Sequence, residues 1–141
     1  MSLFIDTSVW SLAFRRDLPA PTAQARELVR AIEAGEPLFT TGLVLQELLQ
    51  GFSGPRSREQ IIDRFSSLPL VVPDRRDHVE AADLRNKCRR QGARIGTIDA
   101  LLAQLCLRRD LTMLSADKDF TFIAEHYDLR LWGHGAIGSS H

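Results

Sequence analysis

The chain has 141 residues, 44% hydrophobic and 26% charged, with 18 Lys+Arg balancing 18 Asp+Glu for a formal net charge of +0. This suits one globular domain with its own core and excludes a disordered tail, a fibrous protein and a disulfide scaffold. Balanced charge also argues against a nucleic-acid binder, since such domains are commonly basic. All the cations except Lys87 and Lys118 are arginine, however. Arginine grips phosphate in a bidentate way that lysine cannot; a GC-rich genome would produce the same bias.

In chain order, Leu3-Phe4-Ile5 is a short apolar run that reads as a buried strand and ends at Asp6-Thr7-Ser8, three helix-capping residue types in a row. A short helix follows over Val9 to Phe14, then a loop over Asp17 to Pro21, with Pro21 suited to the first turn of a helix. Ala23 to Ala34 carries Ala25, Leu28, Val29 and Ile32 at helical spacing, and Gly35 stops it. Leu38-Phe39-Thr40 is a second strand, Gly42 to Gln50 a helix closed by Gly51, and Ser53 to Pro55 a turn. Ser57 to Ser66 is helical with Ile61, Ile62 and Phe65 on one face. Leu70-Val71-Val72, flanked by Pro69 and Pro73, reads as a third strand at a sheet edge.

Asp77 to Arg90 is an amphipathic helix whose apolar face is Val79, Ala82, Leu84 and Cys88, and Gly92 ends it. Ile98 to Leu107 is an apolar helix, Leu111 to Leu114 a strand, Phe120 to Glu125 a helix and Leu129 to Leu131 a last short strand. Strands alternating with helices predict a parallel sheet covered by helices on both faces. No apolar run approaches the length that spans a bilayer, and Met1 to Asp6 lacks the basic start and long apolar stretch of a signal peptide. Cys88 and Cys106 match no metal or redox spacing. The expected setting is the cytoplasm, with one domain over residues 1–132 and a tail over 133–141. The tail's end, Gly138-Ser139-Ser140-His141, resembles the start of an expression tag.

Ligands of parallel α/β sheets bind beyond the carboxyl ends of the strands. Asp6 follows the first strand, and Asp117 and Asp119 follow the strand ending at Leu114, after Ser115-Ala116. Asp6 reads either as a helix cap or as a ligand, and Asp117 and Asp119 either as turn residues or as ligands. Asp99 has Leu102, Ala103 and Cys106 as helical neighbours. An ionised carboxylate among apolar groups is costly without a metal or a donor; the helix dipole, with Thr97 as cap, is the other way to tolerate it. Glu47 falls on the border of the apolar face formed by Val44, Leu45, Leu48 and Leu49, where periodicity alone reads it as solvated.

Four motifs then occur in a fixed order: Asp6-Thr7-Ser8-Val9-Trp10 after a strand, Leu45-Gln46-Glu47-Leu48-Leu49-Gln50-Gly51, Thr97-Ile98-Asp99-Ala100-Leu101-Leu102-Ala103, and Leu114-Ser115-Ala116-Asp117-Lys118-Asp119-Phe120. Together, from Leu3 to about Trp132, they resemble the PIN-domain ribonuclease family, especially the VapC-type toxins of VapBC toxin–antitoxin pairs. The resemblance implies a three-layer α/β/α sandwich with a short-stranded parallel sheet. Asp6, Glu47, Asp99 and Asp117 match the family's acidic quartet, and Asp119 matches a further acid. Asp6, Asp99, Asp117 and Asp119 would be the metal ligands, with Glu47 binding metal or orienting water. Thr7, Ser8 and Ser115 match hydroxyl positions that support the site, Ser115 standing where many relatives carry Thr. The resemblance lifts Glu47 from surface residue to site residue.

Carboxylates without His or Cys companions favour Mg²⁺ or Mn²⁺, and the implied chemistry is metal-assisted phosphodiester hydrolysis. RNA is the implied substrate, cut endonucleolytically. An acidic site repels phosphate, so flanking cations must hold the backbone. Arg85, Arg89, Arg90 and Arg94 form the densest basic stretch, and Arg15 and Arg16 follow the first helix; a solvated helix face is the other reading. The resemblance also implies a VapB-type antitoxin and a homodimer. Trp10, Leu12 and Phe14, with Leu45 or Leu49, either line an antitoxin groove or fill the core. Two alternatives are a receiver-like signalling domain, which Lys118 fits poorly, and a PIN-type module that binds RNA or a partner without cutting. If the five acids converge on one metal-neutralised cavity, the rest of the chain carries five more cations than acids, which reconciles zero net charge with an RNA substrate.

Overall fold

The computed structural model describes residues 1–15 and 22–134. The expected 17–21 loop, Pro21, Arg16 and the tag-like Gly138 to His141 lie outside the described residues. The elements are β1 (Leu3–Ile5), α1 (Thr7–Phe14), α2 (Ala23–Glu33), β2 (Leu38–Phe39), α3 (Gly42–Gly51), α4 (Pro55–Phe65), α5 (Arg75–Arg90), α6 (Thr97–Arg109), β3 (Thr112–Leu114), α7 (Lys118–His126) and β4 (Arg130–Leu131). The strands follow the order β2-β1-β3-β4. The order of strands and helices is the expected one except at Leu70–Val72, so that four helices, α3 to α6, lie between β2 and β3. Two compact units account for these residues: Met1–Val72 with Leu114–Ala116, and Pro73–Met113 with the chain from Asp117 on.

In the first unit β1 and β2 pair in parallel, Leu3 with Leu38 and Phe4 with Phe39. Leu3, Phe4 and Ile5 are all fully buried, which explains their unbroken apolar run: both faces of such a strand are covered. Helix α1 packs against α2 and α3. Its Trp10 is a core residue, with ring centroids 6.1 Å from Phe14 and 4.9 Å from Phe65. Thr22 caps α2 by accepting from the Ala25 N–H at 3.1 Å. Val29 and Ile62, expected on buried faces, are exposed; Ala25, Leu28 and Ala31 of α2 and Ile61 and Phe65 of α4 carry the burial instead.

The expected strand over Leu70–Val72 reduces to a single parallel bridge between Thr40 and Leu70. The Thr40 N–H donates to the Pro69 carbonyl at 3.2 Å, and the Val71 N–H donates to the Thr40 carbonyl at 2.7 Å. Pro69 and Pro73 have no N–H to extend the ladder either way. The Thr41 hydroxyl then caps the short contact by donating to the Val71 carbonyl at 2.7 Å.

In the second unit β3 and β4 pair in parallel, Thr112 with Arg130 and Met113 with Leu131. Helix α6 is buried continuously from Ala100 to Cys106, so its sequence is apolar on nearly every side. Its N-cap is Gly96, and Thr97, the expected cap, is the first helical residue. It ends at Asp110, whose φ of 58° is left-handed.

Helix α5 packs along α6, and its buried positions are Asp77, Ala81, Leu84 and Cys88. Val79 and Ala82 of the expected apolar face are exposed. The true stripe begins on a carboxylate, which no apolar pattern can reveal. Asp77 is 0% exposed. It closes a capping box, accepting from the Asp74 N–H at 2.9 Å while its own N–H donates to the Asp74 carboxylate at 2.9 Å. It also receives both ends of the Arg109 guanidinium, at 3.1 and 2.8 Å, and lies 3.3 Å from Arg108.

The Arg109 guanidinium holds the Asp77 carboxyl well below the usual carboxylate range, against the opposing push of burial. A depressed carboxylate contributes stability that is complete above its unfolded value, about pH 4, and is lost as pH falls through the folded value. Asp77→Ala is expected to cost about 3 kcal/mol, because it strips a buried charge from its partners and removes half a capping box. In urea melts at pH 7 and pH 3, the gap between wild type and variant should shrink at the lower pH. An equal gap at both would show that the carboxylate charge is not what stabilises the helix pair.

Candidate active site

Strand β1 delivers Asp6 to the N-cap of α1, with φ −83° and ψ 174°. Its backbone N–H donates to the Leu114 carbonyl at 3.2 Å, which sets Ser115 beside it. Asp6 is only 4% exposed, and its carboxylate is well supplied with donors. Oδ1 accepts from the Ser8 hydroxyl at 2.6 Å and from the Val9 N–H at 3.4 Å, and Oδ2 accepts from the Ser115 hydroxyl at 2.8 Å. The Ser8 hydroxyl in turn accepts from the Ala116 N–H at 3.0 Å. The helix cap and the residue expected at the site are therefore one and the same. Such donors offset the cost of burying the charge.

Glu47, on α3, is half-buried, and its Oε1 accepts from the Thr7 hydroxyl at 2.6 Å. Thr7, Ser8 and Ser115 thus each donate to an acid, Thr7 to Glu47 and the two serines to Asp6. The helical wheel that places Glu47 on a solvated border cannot see Thr7, 40 residues earlier in the chain.

In the second unit Asp99 sits in the first turn of α6, Asp117 is the N-cap of α7 and Asp119 is in the first turn of α7. Asp117 accepts from the Asp119 N–H at 2.9 Å. One carboxylate oxygen from each of Asp99, Asp117 and Asp119 lies within 4.8 Å of the others. Burial pushes the Asp119 carboxyl up, and the Asp117 charge adds to the push; a hydrogen bond with Asp99 opposes it. Helix N-termini favour negative charge, but crowded carboxylates repel and gain from a cation. With oxygen donors alone, the set fits a hard divalent ion such as Mg²⁺ or Mn²⁺.

Of the expected phosphate-gripping residues, Arg85, Arg89 and Arg94 line one 440 Å³ pocket with Gly92 and Ile95. Arg90 is exposed and does not line it. Arg15 is exposed at the C-cap of α1. The wall residue Ile95 carries no signal in the sequence; it contributes a backbone carbonyl, which accepts from Arg85 Nε at 2.8 Å and leaves no side-chain signature.

The family model of the PIN domain matches residues 3–125. Solved structures repeat the fold along most of the chain. The VapBC2 structure from Rickettsia felis, bound to a promoter DNA fragment, aligns at 20% identity and TM-score 0.70 over 93% of this chain and 97% of that one. VapBC-1 from nontypeable Haemophilus influenzae aligns at 19% identity and TM-score 0.71, covering 93% and 96%. The Sarcin-Ricin loop cleaving toxin VapC20 of Mycobacterium tuberculosis aligns at 19% identity and TM-score 0.65, covering 89% and 95%. No curated protein matches the chain.

Ser115→Ala removes a donor from a buried carboxylate. It is expected to lower stability by about 1–3 kcal/mol, seen as an earlier urea midpoint with an unchanged slope. An unmoved midpoint would show that this hydroxyl contributes nothing to holding Asp6.

Proposed function

The chain belongs to the PIN domain family, and on that footing we propose that it is a metal-dependent endoribonuclease, a VapC-type toxin restrained by a VapB-type antitoxin. The observation that carries the reading is the convergence of Asp99, Asp117 and Asp119 oxygens within 4.8 Å. A divalent cation bound there supplies positive charge against which a phosphodiester can be hydrolysed. Asp99, Asp117 and Asp119 hold it. Asp6 and Glu47 are assigned to the same reaction from the order of the four motifs within the matched residues 3–125. Asp6 is the remaining ligand, kept charged and in place by Ser8 and Ser115. Thr7 occupies Oε1 of Glu47, which leaves Oε2 to orient the attacking water and accept its proton.

The toxin role draws on neighbours that are VapBC pairs and on one described as a Sarcin-Ricin loop cleaving toxin. In this chain a groove of 550 Å³ runs between α1 and α2, with Leu12, Ala13, Ala25 and Val29 on its walls and Arg15 and Arg26 among its lining. It suits the apolar face of an antitoxin segment. Leu12 therefore belongs to the proposed docking groove, whereas Trp10 fills the core. The catalytic domain spans residues 1–132 and acts in the cytoplasm as a homodimer. Among the described residues, no helix is long and apolar enough to cross a membrane.

Antitoxin-free protein incubated with total RNA should cleave it in Mg²⁺ or Mn²⁺ and stop on chelation. Asp6→Asn and Asp99→Asn should each slow cleavage by about a hundredfold or more, since a bound metal contributes several kcal/mol. Equal cleavage by wild type and variants would mean a contaminating nuclease and overturn the assignment. Independently of activity, Mn²⁺ should raise the melting temperature of the wild type and leave that of the Asp99→Asn, Asp119→Asn double variant unmoved. An equal rise in both would remove the metal from these residues.

A further inference from the structure

We propose that the pocket lined by Arg85, Arg89 and Arg94 is a phosphate subsite that holds the backbone of the RNA strand, an inference that rests on the endoribonuclease reading. Three guanidiniums line one 440 Å³ pocket, and among the described residues no carboxylate joins them in its walls. Among the described residues none of the three is ion-paired with an acid. Like charges gathered without counter-charge repel, and an anion relieves the repulsion.

The pocket is built by backbone as much as by side chains. At the end of α5, Gly92 takes a φ of +91°, a conformation that favours glycine. The Gly92 N–H donates to the Arg89 carbonyl at 3.0 Å and the Ala93 N–H to the Cys88 carbonyl at 2.9 Å. These bonds turn the chain back across the helix end and bring Arg94 and Ile95 beside Arg85 and Arg89. The Ile95 carbonyl then fixes Arg85 through Nε at 2.8 Å, which leaves both terminal amino groups of that guanidinium for a ligand. Among the described residues, Arg89 reaches a neutral oxygen, Asn86 Oδ1, at 3.3 Å.

The negative end of the α5 dipole accounts for Arg89 and Arg90. It does not account for Arg94, which lies beyond the helix. Phosphate is the anion of choice, because planar guanidiniums bind its oxygens in pairs. The wall that ends at Ile95 continues through Gly96, the cap of α6, into Asp99. One short segment thus serves both the pocket and the acid cluster.

The test measures binding of a fluorescein-labelled single-stranded RNA by anisotropy in EDTA, so that nothing is cut. The double variant Arg89→Ala, Arg94→Ala spares the Arg85–Ile95 bond, and its fold is checked by circular dichroism melting. Arg56→Ala, Arg58→Ala, on exposed positions of α4, removes the same charge elsewhere. The pocket variant should bind about tenfold more weakly. Its plot of log affinity against log salt should be shallower by roughly 0.7 for each phosphate that is no longer neutralised. The α4 variant should stay within about twofold of wild type. Unchanged affinity and slope in the pocket variant, an equal loss in the α4 variant, or no RNA binding by wild type would each overturn the subsite. If RNA binds in this Arg-dependent way but is not cut when Mn²⁺ is restored, the subsite stands and the endoribonuclease reading falls.

Discussion

A carboxylate buried at the end of a strand must be given hydrogen-bond donors before the chain around it can settle, and Asp6 imposes that demand. Its backbone N–H reaches the carbonyl of Leu114, and its side chain collects the hydroxyls of Ser8 and Ser115 and the N–H of Val9. One residue therefore closes the end of β1, starts α1 and fixes the turn over 114–116. Replacing those donors by apolar groups would leave an ion where its burial costs several kcal/mol. The role proposed for Asp6 and the folding around it share a single set of bonds. This explains why the hydroxyls around Asp6 are integral to the unit as well as to the chemistry proposed for it.

The second acid group follows a different logic. Asp99, Asp117 and Asp119 stand at the N-terminal ends of two helices, where exposed backbone N–H groups tolerate negative charge. Dipoles lessen mutual repulsion between carboxylates without abolishing it: the Asp119 carboxyl is raised chiefly by burial, and the Asp117 charge adds to the push. That residual repulsion is what a hard cation would relieve. Asp6 is held by fixed hydroxyl and N–H donors, whereas these three gather carboxylate oxygens within 4.8 Å of one another. The two groups of acids thus meet the cost of their charge in different ways.

Much of this is legible in the sequence because the clearest signals are those with one physical cause. Leu3–Ile5 and Thr112–Leu114 are buried along their whole length, so the sequence around them is apolar with little interruption. Asp6, Ser8 and Ser115 follow from capping chemistry at strand ends and from motif order. Sequence and structure differ where polarity and burial part company. Val79 and Ala82 are apolar and exposed, while Asp77 is charged and wholly buried, because Arg108 and Arg109 come to it from α6. Leu70–Val72 has the composition of a strand, but prolines on both sides deny it a ladder. Glu47 can be recognised only from the company its motif keeps, since its donor lies far away in sequence. The density of arginines near residue 90 is visible, yet the pocket depends on a left-handed backbone at Gly92 and on a main-chain carbonyl.

The double duty of Asp77 bears on how the protein opens. The same carboxylate seals the first turn of α5 and receives Arg109 from the last turn of α6. Helix ends ordinarily fray one at a time, each at small cost. Here the two ends share an anchor, so loosening either one exposes a charge that the other needs. Fraying becomes a joint event, and slow amide exchange should extend to helix termini that in most proteins exchange freely. The helix that carries Asp99 is thus braced at the end opposite to that acid, by a residue that takes no part in the chemistry.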